Sequence, residues 1–170
     1  HSILPCIAFS HSSLAPAAQT LLLCLAPFTG VVYRGGLKAY TAALQRQPAL
    51  AGLPFDRWNA VLGQAMDWGL LAPHEVQGFL RIQPTLPYFL RTRLQMDSLI
   101  ELQKATHAAF VEHYQQFGLE LEQLLLARQA DRKQTGYIVT GVEYENLSHA
   151  MHLALAAREP FYYSFSALYE

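Results

Sequence analysis

Apolar positions in this chain recur mostly at helical spacing, and short extended runs break that rhythm at one place. Leu21, Leu22, Leu25 and Phe28 lay down a first helical face. Ser12 or Ser13 is placed to cap it, Pro16 falls in its first turn, and Pro27 and Gly30 end it. Gly35-Gly36 opens a second helix carrying Leu37, Tyr40, Ala43 and Leu44. A third starts near Phe55-Asp56 and carries Trp58, Val61, Leu62, Ala65 and Met66, with Gly69 as its C′ residue. The rhythm then changes. Leu70-Leu71-Ala72 and Phe79-Leu80-Arg81-Ile82 flank a polar turn, residues 73–78, and read as a β-hairpin. Pro84 and Pro87 start a helix with Leu86, Phe89, Leu90 and Leu94 inward and Arg91 and Arg93 outward.

Helix, helix, helix, hairpin is the order of a winged helix, assigned here to residues 1–96. Residues 97–170 continue as helix alone. Asp97-Ser98 should cap a long helix from Leu99 to Leu125 with a break near Gly118. Residues 131–136 read as a polar linker, and a further helix carries Val139, Val142, Leu147, Ala150, Met151, Ala154 and Leu155. Glu159-Pro160 ends it, and an aromatic helix begins at Phe161. The expected fold is therefore mainly α: a winged helix, then antiparallel helices of the kind that open a helical-repeat array.

Composition changes this picture in two ways. Of the 170 residues, 52% are apolar and 15% charged, which permits a sizeable core and argues against disorder. About 25% charged is usual, so some apolar surface is expected to be covered by a partner. The net charge of −1 supplies no global basic surplus for gripping nucleic acid. Cys6 and Cys24 have no metal-type spacing and read as reduced thiols. No apolar run reaches the roughly 18 residues of a membrane span, and residues 1–9 lack the basic start of a secretory signal. A cytoplasmic location is expected, and both ends look cut from something longer.

Catalytic spacings are missing. There is no Gly-x-x-x-x-Gly-Lys-Ser/Thr, Gly-x-Gly-x-x-Gly, Gly-x-Ser-x-Gly or His-Glu-x-x-His, so no catalytic residue is assigned. His149 and His152 share a helix face with Glu145 one turn upstream, and His107 and His113 are the only histidines able to complete a metal site with them. A solvated polar flank is the preferred reading, and no metal is assigned. Glu143, Glu145 and Asn146 read as helix-start polar residues. Arg57, Asn59 and Gln64 occupy the polar face of the third helix, where a DNA-reading winged helix makes base contacts. Asp56 and Asp67 share that face and oppose phosphate. Arg81, Arg91 and Arg93 form a small basic strip suited to an acidic partner or a neighbouring domain. The aromatic last segment, Phe161 to Tyr169, reads as core packing combined with a face for a following helix.

Phe9 to Phe28, a serine-plus-leucine turn followed by a Leu-rich helix ending in Ala-Pro-Phe, resembles the start of the winged-helix subdomain of STAND-type signal-transduction ATPases, the NB-ARC and NACHT group. Asp67-Trp-Gly-Leu-Leu71 resembles that family's exit into the wing. Glu143-Tyr-Glu-Asn-Leu-Ser-His-Ala-Met-His-Leu-Ala-Leu155 is similar to the motif opening the tetratricopeptide-like region of bacterial members. The resemblance implies a non-catalytic relay between an upstream ATPase unit, which binds ATP or ADP, and a downstream sensor array. Its partners would be those units and other copies in assembly. Where the family carries Met-His-Asp, this chain has Ile82-Gln83-Pro84. Gln83 is the candidate nucleotide contact, because its amide can donate to phosphate whereas Pro84 has neither charge nor N–H. The alternative reading is a winged-helix transcriptional regulator touching DNA through Arg57, Asn59 and Gln64.

Overall fold

The computed structural model describes residues 4–169, and the Cys6 side chain lies outside what it describes. The chain is mainly helical with one small sheet. The helices are α1 (Leu4–Ser12), α2 (Pro16–Leu23), α3 (Leu37–Gln45), α4 (Trp58–Asp67), α5 (Thr85–Leu94), α6 (Ile100–Leu125), α7 (Ala130–Ala157) and α8 (Tyr162–Tyr169); the strands are β1 (Val31–Tyr33), β2 (Leu71–Pro73) and β3 (Phe79–Ile82). Among the described residues no helix is long and apolar enough to cross a membrane.

The expected hairpin forms as β2 and β3, but β3 lies in the middle of a three-stranded antiparallel sheet of order β1-β3-β2. The outer strand β1 has too few residues for alternation to announce it. Its register pairs Val32 with Leu80 and Tyr33 with Phe79. Side chains alternate across a strand, so Val32, Leu80 and Ile82 join the main core. The Tyr33 and Phe79 rings stack on the opposite face at 4.8 Å, with Phe117 of α6 6.1 Å from Tyr33. Gly69 does what its position promised. At φ +67° it lets Leu70 N–H reach Ala65 O and its own N–H reach Met66 O, the two bonds of a Schellman stop.

Several expectations need correction. Ser12 and Ser13 do not cap α2; their hydroxyls donate back to Phe9 O and close α1, a helix the apolar start concealed. Helix α2 stops at Leu23, and residues 24–28 descend in single turns. Cys24 lies there, fully buried, and burial pushes its thiol up to about 12. Leu99, without a side-chain cap, precedes α6. There is no break at Gly118: α6 runs straight through it, and the glycine serves packing instead, since a Cβ there would stand 2.6 Å from Tyr163 O of α8. The supposed linker 131–136 is the opening of α7, polar because it is exposed on nearly every side; only Gly136 is buried, against Leu124 and Leu125. Helix α8 turns Ser164 and Ala167 inward and leaves Tyr162, Phe165 and Tyr169 exposed, the reverse of an aromatic core face.

The long helices form one antiparallel hairpin, with Gly136 near Leu124, Glu143 at Tyr114 and His149 beside Phe110. Its arms have 26 and 28 residues, too long for a repeat of about 34 residues with two helices. A single buried cluster runs from Leu21, Leu44 and Leu62 through Phe28, Tyr40 and Phe110 to Leu147, and so joins residues 1–96 to residues 97–170.

Candidate functional site

The place where the two halves meet is an irregular strap, residues 26–31, between α2 and β1. A buried loop must find a partner for every backbone carbonyl, and here each one has a partner. From α5, Arg91 donates through Nε to Ala26 O at 2.9 Å and through Nη2 to Phe28 O at 3.4 Å. From α7, His149 Nδ1 lies 2.6 Å from Pro27 O; since a carbonyl only accepts, Nδ1 carries the proton. Thr29 O accepts from Val31 N–H, and Gly30 O from Ile82 N–H of β3. Val31 O accepts from Asn146 Nδ2 at 3.0 Å.

Asn146 is the hub. Its Oδ1 accepts from Thr29 N–H at 2.7 Å and from the Thr29 hydroxyl at 3.0 Å, while its Nδ2 also donates to Glu143 Oε2 at 2.7 Å. All four hydrogen-bonding positions of the carboxamide are therefore used. Glu143 Oε2 accepts a further bond, at 2.8 Å, from Tyr114 OH of α6. Glu143 and Asn146 are 1% and 0% exposed. Burial pushes Glu143 up to about 7, against the opposing pull of the Asn146 and Tyr114 bonds, and raises Tyr114 well above the phenolic range. Glu143, Asn146 and His149, each three apart, form a polar stripe on α7 that faces the strap. The Glu143 carboxyl is closed off from solvent, and its bonds run only to side chains of α6 and α7.

Beside the strap opens a cleft of about 1090 Å³. Arg81 and Ile82 of β3, Pro87, Tyr88 and Arg91 of α5, and Tyr137, Ile138, Gly141, Tyr144 and Glu145 of α7 wall it, over a floor of Thr29–Val31.

Three sequence-derived assignments change here. The first is the polar cluster: Glu143 and Asn146 are mid-helix and buried, and not helix-start residues. Their place among Leu147, Ala150 and Ala154 on the inward stripe was the available signal. Tyr114 and Thr29 gave none, being separated from them by 29 and 117 residues. The second is the histidine set, in which His107, His149 and His152 stay near one another while His113 lies apart. His149 holds the strap, His152 is exposed, and His107 is half-buried. His113 sits in an aromatic nest with Phe117 stacked at 6.0 Å, where burial lowers it to about 4. No three potential metal ligands gather among the described residues. The third is the arginine strip. Arg91 is half-buried on the strap and does not point outward. Arg81 meets Glu75 at 3.3 Å, and Arg93 lies over the Phe89 ring on another side.

Gln83 is half-buried at the start of α5. Its Oε1 accepts from Thr85 N–H at 2.8 Å, which leaves Nε2 as the group able to donate. Arg57, Asn59 and Gln64 are exposed, as are Asp56 and Asp67. Arg57 belongs to a 3-10 turn preceding α4. Asn59 and Gln64, five positions apart, point about 140° from each other around the axis. Comparison with protein-family models, with curated proteins and with solved structures finds no match.

Proposed function

We propose that this chain is a non-catalytic relay and protein-interaction module in which movement of the N-terminal helices and sheet is passed to the α6–α7 hairpin. The strap is the observation that carries this reading. Arg91 grips it from one side, His149 and Asn146 from the other, and it cannot shift without breaking bonds to both. Packed elements of this kind are bistable and do not deform smoothly, which suits them to switching. The order α2-β1-α3-α4-β2-β3 is the order of a winged helix and supports that assignment. The residue-level likeness to STAND-type ATPases supports an upstream nucleotide-binding unit for ATP or ADP, with Gln83 Nε2 as this chain's donor to phosphate. The exposed Tyr162, Phe165 and Tyr169 of α8 suit assembly with a further helix or another copy.

Relaxation-dispersion NMR of the chain tests the relay. Amides of α5, the strap and α7 are expected to share one microsecond-to-millisecond exchange process with a common population. Independent motions in the three, or motion confined to one, contradict it. An electrophoretic shift with mixed duplex separates the DNA-reading alternative. Salt-sensitive binding that Arg57→Ala abolishes would replace the relay with a DNA contact.

A further inference from the structure

The cleft beside the strap combines features that recur at peptide grooves, and its contents say which peptide. Its α7 wall runs from Tyr137 to Glu145, about 12 Å along the helix axis, the length of roughly four residues of extended chain. Tyr88, Tyr137, Ile138 and Tyr144 stand 62%, 51%, 47% and 57% exposed around it, an apolar rim with polar tips. Gly141 leaves open space in the middle of that wall.

Two arginines line the cleft. Arg91 bonds only backbone carbonyls, and among the described residues no carboxylate forms an ion pair with it. Arg81 has an exposed and long contact to Glu75. One carboxylate belongs to the cleft wall itself: Glu145, whose Oε2 lies against Gly30 at the strap. The floor offers no strand edge for main-chain pairing, because Gly30 O, Val31 O and Thr29 N–H already have partners. Recognition must therefore run through side chains.

We propose that this cleft docks a short extended peptide segment that bears a carboxylate for Arg81 and Arg91 and apolar side chains for the tyrosine rim. A polyanion such as single-stranded nucleic acid also favours arginine beside tyrosine, but Glu145 and Glu75 repel a run of phosphates far more than one carboxylate. Docking here does not depend on the relay reading: a peptide can bind a strap that never moves.

The test uses the chain itself and a fluorescein-labelled peptide alternating Glu and Leu, with Gln–Leu and Lys–Leu counterparts and a labelled oligothymidine. Anisotropy should report binding of the Glu–Leu peptide, about tenfold weaker binding of Gln–Leu, and none of Lys–Leu or the oligonucleotide. Arg81→Gln and Tyr137→Ala, both exposed and outside the core, should each weaken the Glu–Leu peptide about tenfold without changing the melting temperature. Glu145→Gln should strengthen it several-fold, a gain that a misfolded variant cannot mimic. Equal binding of all three peptides, indifference to Arg81→Gln and Glu145→Gln, preference for the oligonucleotide, or no binding at about millimolar peptide would each overturn the proposal. Peptide binding that persists while the exchange experiment above finds no shared motion would retain the groove and remove the relay.

Discussion

Asn146 and Glu143 show how polar residues come to sit in an otherwise apolar core. Glu143 has a folded-state pKa above its ordinary value of 4.5, near 7, because burial opposes its charge. Between those two pH values the unfolded chain releases this proton while the folded chain keeps it. The contribution is thus complete below about pH 4.5 and lost as pH rises through 7. No charged side chain contributes to the shift; the titratable group facing Glu143 is Tyr114, which stays neutral throughout. His113 acts in the opposite sense. With its folded pKa lowered to about 4 from 6.5, it costs stability as pH falls through that window. Glu143→Gln separates the two. Its stability relative to the natural chain should rise between about pH 4.5 and 7 by on the order of 3 kcal/mol and then level off, as read from urea unfolding at a series of pH values. A difference that stays flat with pH would show that Glu143 titrates normally. The sequence displayed Glu143 and Asn146 at inward positions of α7, but not that Tyr114 and Thr29, far away in the chain, would satisfy them.

Element boundaries carry their own strain and their own tests. Helix α7 ends, like α4, in the two bonds of a Schellman stop: Glu159 N–H to Ala154 O and Arg158 N–H to Leu155 O. The left-handed residue is Gly69 after α4 but Arg158 after α7, at φ +59°, the one non-glycine with positive φ among the described residues. An L side chain pays about 1–2 kcal/mol there. Arg158→Gly should therefore stabilise the protein by about 1 kcal/mol, visible as a higher urea midpoint at unchanged slope; a lower midpoint would mean that the arginine makes a compensating contact. Gly118 is the converse case. Its missing Cβ lets α8 backbone lie directly on α6, so Gly118→Ala should destabilise by about 1–3 kcal/mol and increase hydrogen exchange in α8 first. Uniform loosening would place the contact elsewhere. Elements with strong periodicity or a defined stop were legible in the sequence: α3, α4, α5, the hairpin and the bulk of α6. Those hidden were decided by tertiary contact. Strand β1 is too short to alternate, residues 130–136 are helical without an apolar face, and Gly118 looked like a breaker until α8 covered it.

At the scale of the whole molecule, two helical bodies are joined by continuous packing and by one strap whose carbonyls are all held. Phe28 brings both together, its ring 5.1 Å from Tyr40 of α3 and 4.9 Å from Phe110 of α6. The fold class was readable from periodicity, whereas the joint was not, because it consists of side-chain-to-backbone bonds spanning more than 60 and more than 110 positions. Amide hydrogen exchange at Thr29 tests this joint most directly. In the natural chain the Thr29 N–H should be protected to the same degree as the buried amides of α7, since it is released only when Asn146 lets go. In Asn146→Ala that protection should fall at least a hundredfold, the equivalent of about 3 kcal/mol, while the α4 amides keep theirs. A Thr29 amide that exchanges freely in the natural chain, or one that Asn146→Ala leaves unchanged, would contradict a strap gripped from α7.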